Sequence, residues 1–245
     1  MSNIAFMQGR LVSQINGLIQ TFPENDWINE LEIASKNCLN FIELTADIWN
    51  IGNNPLFGNN SFNDLEIILK SNNIGCVACT ADYFMQMPPW KSNDKELMDE
   101  IIEKNIIALA KLNSKILVIP LVDNSSITNK DEEKYIINYF KKFDKILKNN
   151  CVKIAFESDY NEEKLSRFIE NFSNNYGINY DIGNSASLGY SPTLEFSSYG
   201  NKIIHVHIKD RVLNGETVPL GMGHVNFEEV TTQLHKINYS GNYSL

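Results

Sequence analysis

The sequence predicts an α/β fold, a (β/α)8 barrel, and three observations carry that expectation. Short β-branched runs alternate about seven times with longer segments of helical periodicity, which implies a parallel sheet with helical crossovers. The length of 245 residues is close to the roughly 250 typical of such a barrel. A polar or ionisable residue closes almost every run: Gln8 and Arg10, Glu43, Asp82, Asp123, Glu157, Asp181 and His207.

The strand-like runs are Ile4–Met7, Phe41–Leu44, Gly75–Thr80, Ile116–Pro120, Lys153–Phe156, Ile178–Asp181 and Ile203–Ile208. Several are apolar on both faces, as strands buried between helices and a core must be. The segments Trp27–Lys36, Asp94–Leu112, Asp131–Leu147 and Glu162–Phe172 place apolar residues at three- and four-residue steps, the spacing of an amphipathic helix. Asn73 with Gly75, Asn113 with Ser114, Asn149 with Asn150, and Asn174 to Gly177 supply the stops. A doubly wound open sheet meets the same alternation. The first strand, however, is followed by Gln8-Gly9-Arg10 and not by a dinucleotide-binding glycine fingerprint. Polar residues at nearly every strand end suit a barrel, where all these ends converge on one rim, better than an open sheet with a single switch point.

Composition narrows the function classes. Lys and Arg number 21 against 30 Asp and Glu, a net charge of −9, which argues against a nucleic-acid partner. The lysines 141, 142, 145 and 148 read as a solvated helix face. Met1 to Arg10 lacks the basic start and apolar run of a signal peptide, and no window approaches the roughly 18 apolar residues of a membrane span. Cys76 and Cys79 form C-x-x-C inside the apolar run CVACTAD, where core packing of reduced thiols is the better reading. The expectation is one cytoplasmic barrel domain over residues 1–245.

Chemistry concentrates in three segments: Ile154-Ala155-Phe156-Glu157, Tyr180-Asp181-Ile182-Gly183-Asn184 and His205-Val206-His207-Ile208-Lys209-Asp210. Each is an apolar strand with a metal-competent group at or near its end. Glu157, Asp181 and His207 together suit Mn, Mg, Co or Zn as divalent ions, which accept mixed oxygen and nitrogen ligands. Strand alternation puts His205 and His207 on one side with Val206 on the other. His207 lies nearer the rim and is the better ligand, and His205 falls deeper, as a packed or supporting residue.

These segments, with Gly9-Arg10-Leu11, Phe41-Ile42-Glu43-Leu44 and Pro219-Leu220-Gly221-Met222-Gly223, resemble the sugar phosphate isomerase/epimerase family of the xylose isomerase-like barrels. The resemblance runs along essentially the whole chain in order. It implies a divalent metal held by Glu157, Asp181, His207 and a second Glu after strand 8. Strand 8 should be Tyr243-Ser244-Leu245, and Leu245 is the last residue, so the expectation is a three-ligand site in a barrel incomplete at its C-terminus: short strand 8, no helix 8. The family often has His three residues after the metal-binding Asp and Glu between the glycines of L-G-x-G; here these are Asn184 and Met222.

By the resemblance, the substrate is a ketose, a sugar phosphate or a polyol-derived ketone, isomerised or epimerised by proton abstraction next to the carbonyl. Glu157 is the expected base, and Arg10, Glu43, Asn184, Lys209 and Arg211 are the expected substrate contacts. Phe84 and Trp90 are read either as a hydrophobic lid or as rim packing. Alternative readings are a catalytically impaired sugar-binding or regulatory barrel, and a polyol dehydratase. A multi-zinc DNA-repair nuclease of the same superfamily is excluded by the acidic charge and by a supply of only four histidines. A homo-oligomer is left open.

Overall fold

The computed structural model describes residues 3–15, 17, 20–92 and 95–245. Its strands are β1 (Ile4–Met7), β2 (Phe41–Thr45), β3 (Gly75–Thr80), β4 (Ile116–Leu121), β5 (Lys153–Ser158), β6 (Tyr176–Asp181), β7 (Ile203–His207), β8 (Asp210–Arg211), β9 (Thr217–Val218) and β10 (Tyr243–Ser244). Its helices are α1 (Trp27–Lys36), α2 (Asn59–Ser71), α3 (Tyr83–Gln86), α4 (Lys95–Lys111), α5 (Lys130–Lys141), α6 (Asp144–Asn150), α7 (Glu162–Ile169), α8 (Ile182–Leu188), α9 (Pro192–Tyr199) and α10 (Phe227–Lys236). Eight parallel strands close a barrel in the order β1-β10-β7-β6-β5-β4-β3-β2, and β8 and β9 form a separate antiparallel hairpin. The eighth barrel strand, β10, is only two residues long, yet it bridges β7 and β1, and Met7 N donates to Leu245 O beyond it. Among the described residues no helix is long and apolar enough to cross a membrane.

Alternation along the strands sorts the two faces. Ile42, Leu44, Leu117, Ile119, Ile154, Phe156, Ile178, Tyr180 and Val206 point outward into one apolar layer shared with the helices. The lower interior is filled by the aliphatic residues Ala5, Val77, Ala78, Ile116, Val118 and Ala155. Helix starts are fixed by side chains that satisfy free N–H groups: Asn129 accepts from Asp131 N and Glu132 N, Asn161 from Lys164 N and Asn226 from Glu229 N. After α2 and α4 the chain turns through Asn73 and Asn113 in the left-handed region, which asparagine tolerates.

The run read as one helix over Asp131–Leu147 is two. Phe143 N turns back to Phe140 O at 2.9 Å, a tightened turn, and α6 starts beyond it. The apolar period passes through this turn unbroken, because Phe140, Phe143 and Leu147 all reach the core. Of the helix expected over Asp94–Leu112, Asp94 lies outside the described residues and the rest spans Lys95–Lys111. Cys79 is buried, Cys76 half-buried, and both are free thiols.

Candidate functional site

β5, β6 and β7 end side by side on the rim, with Asp181 in register with His207. This brings Glu157, Asp181 and His207 together. His207 Nδ1 lies 3.2 Å from Glu157 Oε2 and 3.8 Å from Asp181 Oδ2. The three residues are buried, and one ligand atom from each lies within 4.8 Å of the others.

Beneath them Glu43, from β2, reaches into the interior and is fully buried. Its Oε2 accepts from His205 Nε2 at 2.7 Å, and its Oε1 from His207 Nε2 at 3.0 Å and from Thr80 Oγ1 at 2.5 Å. Ser244 Oγ lies 3.2 Å from the same His205 nitrogen. Glu43, His205 and His207 also lie close enough together to hold an ion. Their contacts give them another task. Both imidazoles aim Nε2–H at the carboxylate, so Glu43 fixes the tautomer of His207 and leaves Nδ1 facing Glu157 and Asp181. A carboxylate behind the imidazole is the usual support of a metal-binding histidine.

The electrostatics agree with a site built for a cation. Burial alone would lower the pKa of His207, but Glu43, then Asp181 and Glu157, hold it well above the ordinary imidazole range. Burial would raise Glu43, and the two histidines instead hold it well below the usual carboxylate range. Burial likewise opposes ionisation of Asp181, yet Lys209 and His207 keep its pKa low. Lys209 Nζ lies 2.7 Å from Asp181 Oδ2, although that oxygen accepts no hydrogen bond of good geometry.

Glu157 is gripped from both sides. Asn184 Nδ2 donates to its Oε1 at 2.6 Å, and Asn179 Nδ2 to its Oε2 at 2.8 Å. Arg211 Nη1 donates to Asn184 Oδ1 at 2.7 Å, which dictates which end of that amide meets Glu157. The cluster opens into a cavity of about 590 Å³, with Glu157, His207, Lys209 and Arg211 on one side and Asp82 and Gln20 among the lining on the other.

Of the expected substrate contacts, Asn184, Lys209 and Arg211 line this cavity. Glu43 lies below it, off the lining, with its oxygens taken by the histidines and Thr80. Arg10 is exposed on the loop after β1. That loop turns at Gly9, with φ of +90°, where an added Cβ would lie 2.6 Å from Thr21 O. Phe84 is fully buried and stacks on Trp90 at 6.4 Å, so it packs the core and is no lid. Sequence reasoning missed Asn179, although it stands two residues before Asp181 and therefore on the same face of β6. It also passed over Asp82, which it noted only as a strand-closing residue.

The protein is thus a closed parallel barrel with two carboxylates and an imidazole converging at the strand ends. The Xylose isomerase-like TIM barrel family model matches residues 31–245, and the chain belongs to that family. An uncharacterized protein of Methanocaldococcus jannaschii is 37% identical over 78 residues, 30% of this chain but only 26% of that protein. A D-tagatose 3-epimerase-like protein superposes with a TM-score of 0.76 at 19% identity, over 99% of this chain and 89% of its own. The IOLI protein, solved with a bound zinc atom, superposes with a TM-score of 0.73 at 19% identity, over 99% and 87%. At these identities the likeness is one of fold.

The donor set fits a divalent metal. Glu157 and Asp181 supply hard oxygens, His207 Nδ1 supplies a borderline nitrogen, and the buried Asp181 Oδ2 lacks a hydrogen bond. An ion bound there would replace the proton that His207 Nδ1 otherwise carries toward the two carboxylates.

Proposed function

We propose that this chain is a metal-dependent isomerase or epimerase of a ketose, sugar phosphate or polyol-derived ketone, moving a proton on the carbon next to the carbonyl. One observation carries the reading: Glu157, Asp181 and His207 converge at the catalytic end of the barrel, Glu157 and His207 lining a cavity there, with the far nitrogen of His207 locked by Glu43. A bound Mn, Mg, Co or Zn ion would be held by those three residues and supply Lewis-acid stabilisation of charge developing on the substrate oxygens.

The chain's own groups do the rest. Glu157 accepts the proton next to the carbonyl, because it is the cavity-facing carboxylate of the cluster with a fixed orientation. Asn179 and Asn184 hold that orientation, and Glu43 keeps the His207 ring from turning. Lys209 reaches the cavity from the rim and hydrogen-bonds to a substrate oxygen, while Arg211 orients Asn184.

The test is metal uptake with metal-dependent thermal stability, followed by NMR of solvent-proton exchange into D-tagatose and D-fructose in D2O. Wild type should show a stabilising shift with Mn²⁺, Co²⁺ or Zn²⁺ that His207→Ala abolishes, and exchange only with metal present. No uptake and no exchange in a folded protein would reject the reading.

A further inference from the structure

α8 carries Asn184, one of the two amides that hold Glu157, yet its own sequence gives it little reason to be a helix. It is seven residues long, Ile182–Leu188, and Gly183, Asn184, Ser185 and Ser187 are all poor helix formers. Two turns of such residues do not stand alone in water. Asp181 Oδ1 accepts from Asn184 N at 2.8 Å and caps the first turn. Gly183 lies against Lys209, where an added Cβ would come 2.5 Å from Lys209 Cγ. A further hold comes from outside the helix, from Glu195 on α9.

Glu195 is 2% exposed. Hydroxyls satisfy it: Ser185 Oγ donates to its Oε2 at 2.5 Å, Tyr180 OH to the same oxygen at 2.9 Å, and Tyr199 OH to Oε1 at 2.7 Å. A carboxylate buried among hydroxyls is costly, and apolar side chains would fill the same space without that cost. Its donors account for its place. Ser185 follows Asn184 on α8, and Tyr180 precedes Asp181 on β6. The ring of Phe196, next to Glu195, packs edge-on against Tyr180 at 4.9 Å. One carboxylate therefore joins α8 to β6, the two elements that supply Asn184, Asp181 and Asn179. Glu157, Asn184, Ser185 and Glu195 also line one internal gap of about 20 Å³, room for a single water, so the network borders the proposed base.

We infer that Glu195 is a positioning residue: through Ser185 and Tyr180 it fixes the rotation of α8 on β6 and so holds Asn184 against Glu157. This rests on the proposed isomerase or epimerase reading, in which Glu157 is the base.

Two single-hydroxyl deletions test the inference. Ser185→Ala and Tyr199→Phe each remove one hydrogen bond to Glu195, but Ser185 lies on α8 and Tyr199 on α9 with Glu195 itself. Alanine is also the better helix former, so any loosening of α8 in Ser185→Ala comes from the lost bond. The readouts are hydrogen exchange of the Asn184 backbone amide, and solvent-proton exchange into D-tagatose, D-fructose and D-fructose 6-phosphate with Zn²⁺ present. Ser185→Ala should speed the amide about tenfold and lower the maximal sugar rate about tenfold, with KM within about twofold, the loss of one hydrogen bond to a charged group. Tyr199→Phe should lose comparable thermal stability and leave both rates within about twofold of wild type. Glu195→Gln, which keeps an acceptor oxygen, should recover most of the sugar rate that Glu195→Ala loses. Equal effects of Ser185→Ala and Tyr199→Phe, or a faster amide with an unchanged sugar rate, would overturn the inference and leave the isomerase reading standing. A wild-type protein that exchanges no proton of any of these sugars would overturn both.

Discussion

The two faces of β5 divide the protein's tasks one residue at a time. Outward, Phe156 meets the rings of Phe140, Phe168 and Phe172 at 5.0, 5.3 and 5.0 Å and that of Tyr176 at 5.9 Å, inside the helix layer. Inward, Ala155 joins the aliphatic plug of the lower barrel, and two residues on Glu157 reaches the cavity. The lesson is one of separation. Large aromatic volume is buried where helices can close around it, aliphatic side chains fill the narrow lower interior, and the charged residues of the barrel interior lie above them, where polar partners compensate them.

Two substitutions sharpen that contrast. Glu157→Gln removes the proposed proton acceptor and should lower the exchange rate by about 10²- to 10⁴-fold, the usual contribution of a positioned base. Because the new amide nitrogen would face an Asn donor, the metal-free variant should also lose about 1–3 kcal/mol of stability. Retention of exchange within a few-fold of wild type would move the base elsewhere. Phe156→Ala should act in the opposite sense: a loss of about 3–5 kcal/mol by urea unfolding, from a ring buried among four others. Its folded fraction should keep the metal-induced shift. If Phe156→Ala lost metal binding while still folded, the two faces would not be separable as described.

Much of this division could be read from the sequence. The strand runs were legible because apolar β-branched stretches bounded by Asn and Gly have few other uses, and β1 and β3 match their expected limits. Glu157, Asp181 and His207 were legible because each ends an apolar strand, and adjacent parallel strands must bring their ends together. The break between α5 and α6 was not, since a tightened turn leaves the helical period intact. The place of Glu43 was not, because alternation says only that a residue faces inward. It took the paired histidines of β7 to show that Glu43 lies under the site and off the cavity lining. The surroundings of Asp82 were not legible for a related reason: Gln20 and Asp47 are far from it in sequence and are brought to it by the barrel.

The smallest expected effect lies at the rim, where Asp210 ties down the loop after the β8–β9 hairpin. Burial would raise this carboxyl, but the N–H groups of Gly223, Val225, Gly221 and Arg211 outweigh it and lower its pKa. A group whose folded pKa lies below its unfolded value stabilises fully above the unfolded value, about 3.9 for aspartate. That contribution is lost as pH falls through the lower folded value. Asp210→Asn should therefore cost about 1–2 kcal/mol near neutral pH, since an amide oxygen replaces only part of a charged acceptor. Hydrogen exchange at Gly221, Gly223 and Val225 reads this locally. These amides should be protected in wild type at neutral pH, lose protection in acid, and be weakly protected at either pH in the variant. Equal protection in both proteins would mean that the loop is held by its packing, and that its backbone donors remain available for an anion from outside.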